Sequence, residues 1–322
     1  MGEHMTPRER VSAALKGEPV DRVPLCFWHH FNPEGSGERL AEQTLHFFRD
    51  TFHLDIIKIM PDIPYPGPEQ PFLEARQIRF LPRLDVDTTP EFQQQLLCIR
   101  KIRAEVGPDS PIILTLFSPL TYLMFFFGPP HARTINIARS DPQVFEEGLG
   151  TLAANLRKLM EAAIDAGADG IFYSCMGATT ADFTLDEYKE LGWRYDLQAL
   201  RGAEKGWLNI AHIHADPQQS SDQIYFEFFD RYPVQALSWS DRLTGPSLSE
   251  ALTLTDKCLM GGLFERGPIT QGGETEITNE IMAAITQTKG RRLILANGCS
   301  VPDDTPERWL QFARSQVDSL QH

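Results

Sequence analysis

The sequence predicts an α/β protein, a (β/α)8 barrel of the TIM type with an N-terminal helical extension. The prediction depends on the length of 322 residues, the hydrophobic content of 42%, and the alternation of short apolar runs with segments of helical period. A barrel of this type takes roughly 250 residues plus insertions. We therefore expect one barrel domain over residues 1–322, with residues 1–20 as an N-terminal helix packed on the barrel.

The strands are predicted from apolar runs of four to seven residues, each followed by a loop and then by a helical pattern. Such continuous apolar runs are typical of parallel strands, which are buried on both faces. Their number favours eight strand–helix repeats over an open doubly wound sheet. The runs are residues 23–27, 54–60, 112–116, 170–174, 208–212, 234–239, 258–263 and 293–296.

Several helix starts can be predicted from their caps. A hydroxyl residue lies three positions before a glutamate at Thr6, Thr184 and Ser247, which is the spacing of a capping box. Thr305 followed by Pro306 predicts a further cap with proline at the first helical position. Residues 141–166 form a long amphipathic stretch that leads through a glycine turn into the fourth strand.

Composition excludes several classes of function. The 44 acidic and 30 basic residues give a net charge of −14, which disfavours a nucleic-acid partner. We expect no membrane insertion, because no apolar run approaches the roughly 20 residues that a spanning helix needs. The five cysteines are odd in number and widely spaced, as expected for a reducing compartment, so we expect a cytoplasmic protein. No glycine-rich dinucleotide or P-loop motif is present.

Candidate site residues are those that follow the carboxyl ends of the predicted strands, where barrels gather their chemistry. We expect catalytic roles for Asp62 and Tyr122. The expected substrate-binding residues are Trp28, His29, Tyr173, Cys175, Trp239 and Arg242.

A metal site is predicted at the same mouth. His212 and His214 are two positions apart at the end of the fifth strand, so their side chains point the same way. Cys299 follows the eighth strand. Two imidazoles and one thiolate with a fourth position open are the ligands of a catalytic zinc. The alternative is structural: the histidines would bond to backbone at a strand end, and Cys299 would be a small buried side chain.

The other candidates also have structural alternatives. Asp62 is flanked by prolines and suits an acid or base, an orienting group for a ligating histidine, or a turn cap. Tyr122 lies in the apolar segment 118–128, which suits a substrate cover, core packing or a homodimer interface. Cys175 either faces the metal or is buried. Arg242 forms a surface ion pair with Asp241 or clamps an anion.

Four segments resemble the uroporphyrinogen decarboxylase superfamily, and together they span nearly the whole chain. They are residues 5–24 (MTPRERVSAALKGEPVDRVP), 166–171 (AGADGI), 260–269 (MGGLFERGPI) and 295–306 (LANGCSVPDDTP). The resemblance implies a (β/α)8 barrel. It also implies one of two activities: decarboxylation of uroporphyrinogen, or zinc-dependent transfer of methyl groups between corrinoid proteins and thiols.

Specific positions favour the methyltransferase branch. The decarboxylases carry Arg-Gln-Ala-Gly-Arg after the first strand, where this chain has residues 28–32 (WHHFN), and Gly-His-Gly where it has Cys299. Asp62 alone resembles a decarboxylase residue, the pyrrole-binding aspartate. The methyltransferases use His-x-Cys and Gly-Cys as zinc ligands, so the resemblance places His212, His214 and Cys299 at those positions. An imidazole in place of a thiolate removes one negative charge, which puts simple methyl transfer to a thiol in doubt.

Three functions are therefore compared. The first is a zinc-dependent methyltransferase or demethylase that acts on a small molecule with a corrinoid. The chain has no Asp-x-His-x-x-Gly motif, so that cofactor would arrive on a partner protein or free. The second is a metal-free decarboxylase or lyase that uses Asp62 and Tyr122 on a carboxylated, tetrapyrrole-like substrate. The third is a non-catalytic binder of a tetrapyrrole or corrinoid. Glu265 or Asp62 remains open as a fourth metal ligand.

Overall fold

Parallel strands form a nearly closed barrel in the computed structural model, which describes residues 4–215 and 223–320. The order of the eight strands, β1-β8-β7-β6-β5-β4-β3-β2, confirms the predicted fold class. Near the gap between β1 and β2, the backbone N–H of Asp55 donates to the Leu25 carbonyl at 3.0 Å. The strands are β1 (Leu25–Cys26), β2 (Ile57–Ile59), β3 (Ile112–Phe117), β4 (Gly170–Cys175), β5 (Ile210–Ile213), β6 (Ala236–Trp239), β7 (Cys258–Leu263) and β8 (Leu293–Asn297).

Helices follow the strands along the chain and surround the barrel. None of the helices in the described ranges is both long enough and apolar enough to cross a membrane. The helices are α1 (Pro7–Lys16), α2 (Gly37–Leu45), α3 (Pro90–Val106), α4 (Pro119–Phe127), α5 (Ala132–Ser140), α6 (Pro142–Asp165), α7 (Leu185–Tyr188), α8 (Arg194–Leu200), α9 (Phe226–Phe229), α10 (Leu248–Leu254), α11 (Pro268–Gln271), α12 (Glu274–Thr288) and α13 (Glu307–Ser319).

The predicted caps can be compared with these helix starts. Thr6, Thr184 and Ser247 each form the expected capping box with the glutamate three positions later. The start of α13 differs from the prediction, because Pro306 has extended backbone angles and lies at the N-cap rather than inside the helix. The Thr305 hydroxyl donates to the Pro302 carbonyl at 2.6 Å, which closes the preceding turn instead of capping the helix.

Burial on both faces explains why the strands read as apolar runs. Every residue of β4, β7 and β8 is buried. The first residue of β4, Gly170, lies very close to the backbone of Leu208. A Cβ atom on Gly170 would lie 1.9 Å from the Leu208 carbonyl oxygen. Glycine is therefore required where β4 passes the loop before β5.

A buried ion cluster joins the N-terminal helix to the barrel. The Asp55 side chain is 1% exposed and accepts hydrogen bonds from Arg10 at 2.6 Å, from Arg22 at 2.6 and 3.0 Å, and from the Leu25 backbone at 2.8 Å. Arg10 also pairs with Asp21 through two bonds of 2.7 Å. One carboxylate thus connects α1, the approach to β1 and the residues just before β2. We propose on this basis that the N-terminal helix and the barrel form one domain.

We predict that Asp55→Asn lowers the free energy of unfolding by about 3–5 kcal/mol, because it leaves two buried guanidinium groups without their carboxylate. Chemical denaturation followed by circular dichroism measures the change. Asp50→Asn is the matched control: its partner Arg49 and Asp50 itself are both exposed, so little change is expected. Equal stability of the two variants would contradict the proposed bridging role of Asp55.

Candidate metal centre and cavity

A cavity of about 270 Å³ opens at the carboxyl ends of the strands. Its wall combines aromatic and sulfur-containing side chains with a small number of polar groups, which is the usual composition of a small-molecule site. A larger cleft of about 430 Å³ beside α7 and α9 is lined mainly by apolar side chains. The cavity is lined by Trp28, His30, Lys58, Met60, Pro61, Thr115, Phe117, Phe125, Phe172, Ser174, Met176, His212, His214, Cys299 and Ser300.

His212 lies within β5 and is held on both sides. Its ring stacks on Phe172 with centroids 5.3 Å apart and an interplanar angle of 26°. Its Nδ1 lies 3.2 Å from the Ser238 hydroxyl oxygen on β6. Burial, followed by the charges of His214 and Lys58, holds the pKa of His212 well below its usual value. The imidazole is therefore neutral at neutral pH, as a metal ligand must be.

Cys299 reaches the same wall from the loop after β8. Asn297 orients this loop by donating to the carbonyl oxygens of Cys299 and Trp28. A Cβ atom on Gly298 would lie 2.6 Å from the Ser240 Cα atom, so only glycine lets the loop pass this close to the end of β6. Burial, and secondarily the charge of Glu265, raises the pKa of the Cys299 thiol. A bound cation would reverse this shift and favour the thiolate.

The ligating atoms fit a soft metal ion. One nitrogen from each of His212 and His214 and the Cys299 sulfur all lie within 4.8 Å of one another. The Cys299 sulfur is 4.0 Å from the His214 Nδ1 atom. Zinc bonds of about 2.0–2.3 Å in tetrahedral geometry place ligand atoms roughly 3.3–3.7 Å apart. Small side-chain adjustments would therefore bring this nitrogen and sulfur set to the spacing that zinc requires.

Glu265 lies behind this cluster. It is 3% exposed, and one carboxylate oxygen accepts a hydrogen bond from the Ser240 hydroxyl at 3.0 Å. Its other oxygen has no hydrogen-bond partner among the described residues. Neither Glu265 nor Asp62 belongs to the group of ligand atoms within 4.8 Å of one another. In the described structure, no carboxylate from either residue completes the metal cluster.

Lys58 is a cavity residue that sequence reasoning missed. It lies on β2, is 1% exposed, and donates to the Thr115 hydroxyl at 2.9 Å and to the Met60 sulfur at 3.2 Å. Its ammonium nitrogen is 4.2 Å from the Phe172 ring centroid and 4.9 Å from that of Trp28. Burial lowers the pKa of Lys58 to about 7. The sequence signal was a single lysine inside the apolar run 54–60, because parallel strands are normally apolar throughout.

Comparison with known proteins identifies the family. Residues 57–319 match the model of the uroporphyrinogen decarboxylase (URO-D) family. The chain belongs to the URO-D family. The sequence matches no individual curated protein.

Solved structures similar to this URO-D family member share its fold. A methyltransferase from Methanosarcina mazei superposes with a TM-score of 0.78 at 18% identity, covering 99% of this chain and 100% of that one. A B12-independent methionine synthase from a Shewanella species superposes with a TM-score of 0.57 at 13% identity, covering 88% and 86%. At these identities the similarity establishes the barrel and leaves the reaction to be argued from the site.

Asp62 supports the loop after β1. Its carboxylate accepts a hydrogen bond from the Phe31 backbone at 2.7 Å and lies 2.6 Å from the His30 Nδ1 atom. His30 lines the cavity, whereas Asp62 does not. Asp62 thus contacts a cavity residue, His30, rather than a histidine of the predicted metal site, and its acid–base role stays a prediction.

Tyr122 packs within the core of this URO-D family member. Its ring lies against Tyr65, with centroids 4.5 Å apart, and it is 5% exposed. Eight of the nine residues of α4 are buried within the chain itself. Most of the apolar segment is therefore core, with Phe125 exposed. Its neighbours Phe117 and Phe125 line the cavity in place of Tyr122.

Trp28 and His29, the two residues after β1 that are expected to bind substrate, lie in different surroundings. Trp28 is 2% exposed and lines the cavity. His29 is directed elsewhere, with its ring centroid 4.7 Å from those of both Phe31 and Phe47. Burial lowers the pKa of His29. Only Trp28 of this pair contributes to the cavity wall.

Tyr173 and Cys175 lie on the helix-facing side of β4. The Tyr173 hydroxyl donates to Asp196 at 2.7 Å, and the Cys175 sulfur is 3.9 Å from the same carboxylate. Burial raises the pKa of Asp196 to about 6. Alternation along the strand turns the other β4 side chains, Phe172 and Ser174, into the cavity. Neither Tyr173 nor Cys175 lines this cavity.

Trp239 and Arg242 also lie away from the cavity. Trp239 packs against Phe226, with centroids 4.5 Å apart, and its indole N–H donates to the Pro246 carbonyl at 2.9 Å. The Arg242 guanidinium lies 3.4 Å from the Glu280 carboxylate on α12. Burial raises the pKa of Glu280 to about 7, and Arg242 opposes that rise. Arg242 thus pairs with an internal acid outside this cavity.

We predict that Arg242→Met destabilises the protein more at pH 8 than at pH 5. Glu280 has a folded pKa above its unfolded value, so its contribution to stability falls as pH rises from about 4.5 towards 7. Loss of Arg242 extends that fall to higher pH, by at most about 1 kcal/mol because the arginine is partly exposed. Denaturation at the two pH values measures the difference.

The control for this experiment is Arg139→Met. Its partner Glu187 has its pKa lowered to about 2, first by the Arg139 hydrogen bonds. Glu187 is therefore ionised at both pH 5 and pH 8, and the control should lose the same stability at each. A pH-independent effect of Arg242→Met would contradict its assignment to Glu280.

Proposed function

We propose that this URO-D family member is a zinc-dependent methyltransferase or demethylase that acts on a small molecule. The observation that carries the proposal is the convergence of His212, His214 and Cys299 within 4.8 Å at the wall of the barrel cavity. When bound, zinc would act as a Lewis acid, holding a substrate heteroatom and lowering its pKa. The methyl donor or acceptor would be a corrinoid, free or carried by a partner protein.

The protein's own residues prepare the ligands. Ser238 bonds to the Nδ1 side of His212, which directs the Nε2 side towards the ion. Phe172 holds the ring plane from one face. Partners of this type fix the orientation of a ligating imidazole. We therefore assign Ser238 as the positioning residue for His212.

The ligand set tunes the reactivity. Two neutral imidazoles and one thiolate leave the site one unit more positive than one imidazole and two thiolates would. A more positive site withdraws more electron density from the substrate heteroatom. This property suits activation of an oxygen or nitrogen substituent, or demethylation, better than simple activation of a thiolate nucleophile.

The cavity wall limits what reaches the ligands. Trp28, Phe117, Phe172 and Met176 provide an apolar lining, which excludes bulk water and strengthens electrostatic interactions inside. The volume of about 270 Å³ suits a small substrate. A corrinoid is far larger, so we place it at the mouth rather than within the cavity.

The metal-free decarboxylase hypothesis is less well supported. It assigned the chemistry to Asp62 and Tyr122, and neither side chain lines the cavity.

The proposed location is the cytoplasm. All five cysteines are free thiols, which agrees with a reducing compartment.

We predict about one zinc ion per chain in protein purified without chelator or affinity-tag metal. His214→Ala and Cys299→Ala should lose the metal, because two ligands hold zinc far more weakly than three. Mass spectrometry of the metal content measures both. His29→Ala is the matched control, since His29 lies outside the cavity, and it should retain zinc. Metal-free wild-type protein would overturn the zinc proposal.

Methyl transfer is tested with methylcobalamin as donor and small thiols or amines as acceptors, and demethylation with methoxylated compounds as donors and cob(I)alamin as acceptor. We expect wild-type protein to change the corrinoid spectrum only with the correct substrate, with a methylated or demethylated product detected by mass spectrometry. Cys299→Ala should abolish turnover. A spectral change on corrinoid addition without any product would favour the non-catalytic binder instead.

We predict that Ser238→Ala weakens zinc binding about 10–100-fold while all three ligands remain, because His212 loses its orienting hydroxyl. Competition with a chromogenic chelator measures the affinity. Ser174→Ala removes a hydroxyl from the neighbouring cavity wall and serves as the control, with zinc affinity unchanged. Equal affinities of the two variants would count against the positioning role of Ser238.

A further inference from the structure

The buried cations at the two ends of this barrel differ in whether a carboxylate pairs with them. Arg10 and Arg22 are almost fully buried, and carboxylates of Asp21 and Asp55 neutralise them. Lys58 is buried more deeply, at 1% exposure. No carboxylate of the described residues forms an ion pair within 4.0 Å of its ammonium nitrogen. At the end of the barrel that holds the cavity, Lys58 thus has no directly paired carboxylate, and Asp62 acts on its charge only from beyond ion-pair distance.

Two of the three donors of Lys58 have hydrogen-bond acceptors among the described residues. An ammonium has three N–H donors. One is used by the Thr115 hydroxyl and another by the Met60 sulfur, which is a weak acceptor. The Phe172 and Trp28 rings cover further directions at 4.2 and 4.9 Å. Since Lys58 itself lines the cavity, we infer that its third N–H is available to a hydrogen-bond acceptor in the cavity.

We propose that Lys58 is the anion-binding residue of the cavity and that the substrate is a small organic acid. A buried unpaired charge is costly, and an anion brought by the substrate would remove that cost. The Thr115 hydroxyl accepts from Lys58, so its own hydrogen can be donated to the same anion. Trp28 and Phe172 would pack against the carbon skeleton beside the carboxylate. Lys58 then acts as a specificity residue that rejects neutral analogues.

This inference deepens the proposed function, because it assumes that the cavity beside His212, His214 and Cys299 is the substrate site. Both features line one cavity of about 270 Å³. A small acid could therefore place its carboxylate at Lys58 and a heteroatom near the nitrogen and sulfur cluster. Such two-point binding would fix the reacting atom.

The test uses full-length protein from which metal has been removed by chelator, so that its result does not depend on zinc. Methionine residues labelled with carbon-13 in the methyl group report by NMR, because Met60 contacts Lys58 and Met176 lines the cavity. Met60→Leu assigns the relevant signal. Propionate is titrated, and propionamide serves as its neutral isostere.

We expect propionate to shift the Met60 signal saturably and to bind at least tenfold more tightly than propionamide. Lys58→Leu should abolish this preference. Lys257→Leu is the control, because Lys257 is half-buried outside the cavity and bonds to the Val234 carbonyl; it should retain the preference. Equal binding of the acid and the amide to wild-type protein would overturn the proposal, and so would a preference that survives Lys58→Leu.

The test remains informative even if Lys58→Leu does not fold. The comparison of propionate with propionamide in wild-type protein needs no variant, so it stands even where Lys58→Leu fails to fold. Thr115→Val offers a milder variant and should weaken propionate binding several-fold. If the protein prefers the acid but never binds zinc, the anion-binding role of Lys58 is supported and the zinc proposal is overturned. If the protein binds zinc but does not prefer the acid, the zinc proposal is supported and the anion-binding role of Lys58 is overturned.

Discussion

Side-chain alternation along short parallel strands determines what reaches the cavity. Successive side chains of a strand point to opposite faces, so each strand of the barrel contributes at most every second residue to the interior. On β4, Phe172 and Ser174 face the cavity, whereas Tyr173 and Cys175 face Asp196. The same constraint brings His212 and His214 to one wall. The proposed metal centre and substrate wall both depend on it.

Polar groups inside the barrel are divided between the two ends. At the amino-terminal end, Asp55 satisfies two arginines and a backbone N–H, so its charges are fully paired. At the carboxyl end, Lys58 has no carboxylate partner and one oxygen of Glu265 has no hydrogen bond among the described residues. Fully paired buried charges specify structure, whereas incompletely satisfied ones mark positions where another group is expected. In the proposed assignment, the groups that stabilise the molecule and those that carry its chemistry are therefore separated along the barrel axis.

The sequence was sufficient for the fold and for the convergence of His212, His214 and Cys299, and insufficient for most of the cavity wall. Apolar runs with helical segments between them predict the strand number, and the i, i+2 spacing of His212 and His214 predicts their common direction. Strand register, however, decides which of Tyr173 or Ser174 faces inward, and a one-residue error exchanges the two faces. The same alternation on β6 places Ser238 beside His212 and Trp239 against Phe226. Lys58 was missed because the run 54–60 was interpreted as continuous core, and its charged side chains were not considered as site residues.

Charge balance connects the two proposals. In the proposed site a divalent cation and the Lys58 ammonium would share one cavity, with a single thiolate from Cys299 to offset them. Two positive groups repel more strongly in a low-dielectric interior than in water. An organic acid bound beside Lys58 would lower this repulsion, so it would strengthen metal binding, and by reciprocity the metal would strengthen binding of the acid. The cavity would then be complete only when metal and substrate are both present. His214 in the position of a second thiolate makes this dependence stronger, because it leaves one more positive charge for the substrate to neutralise.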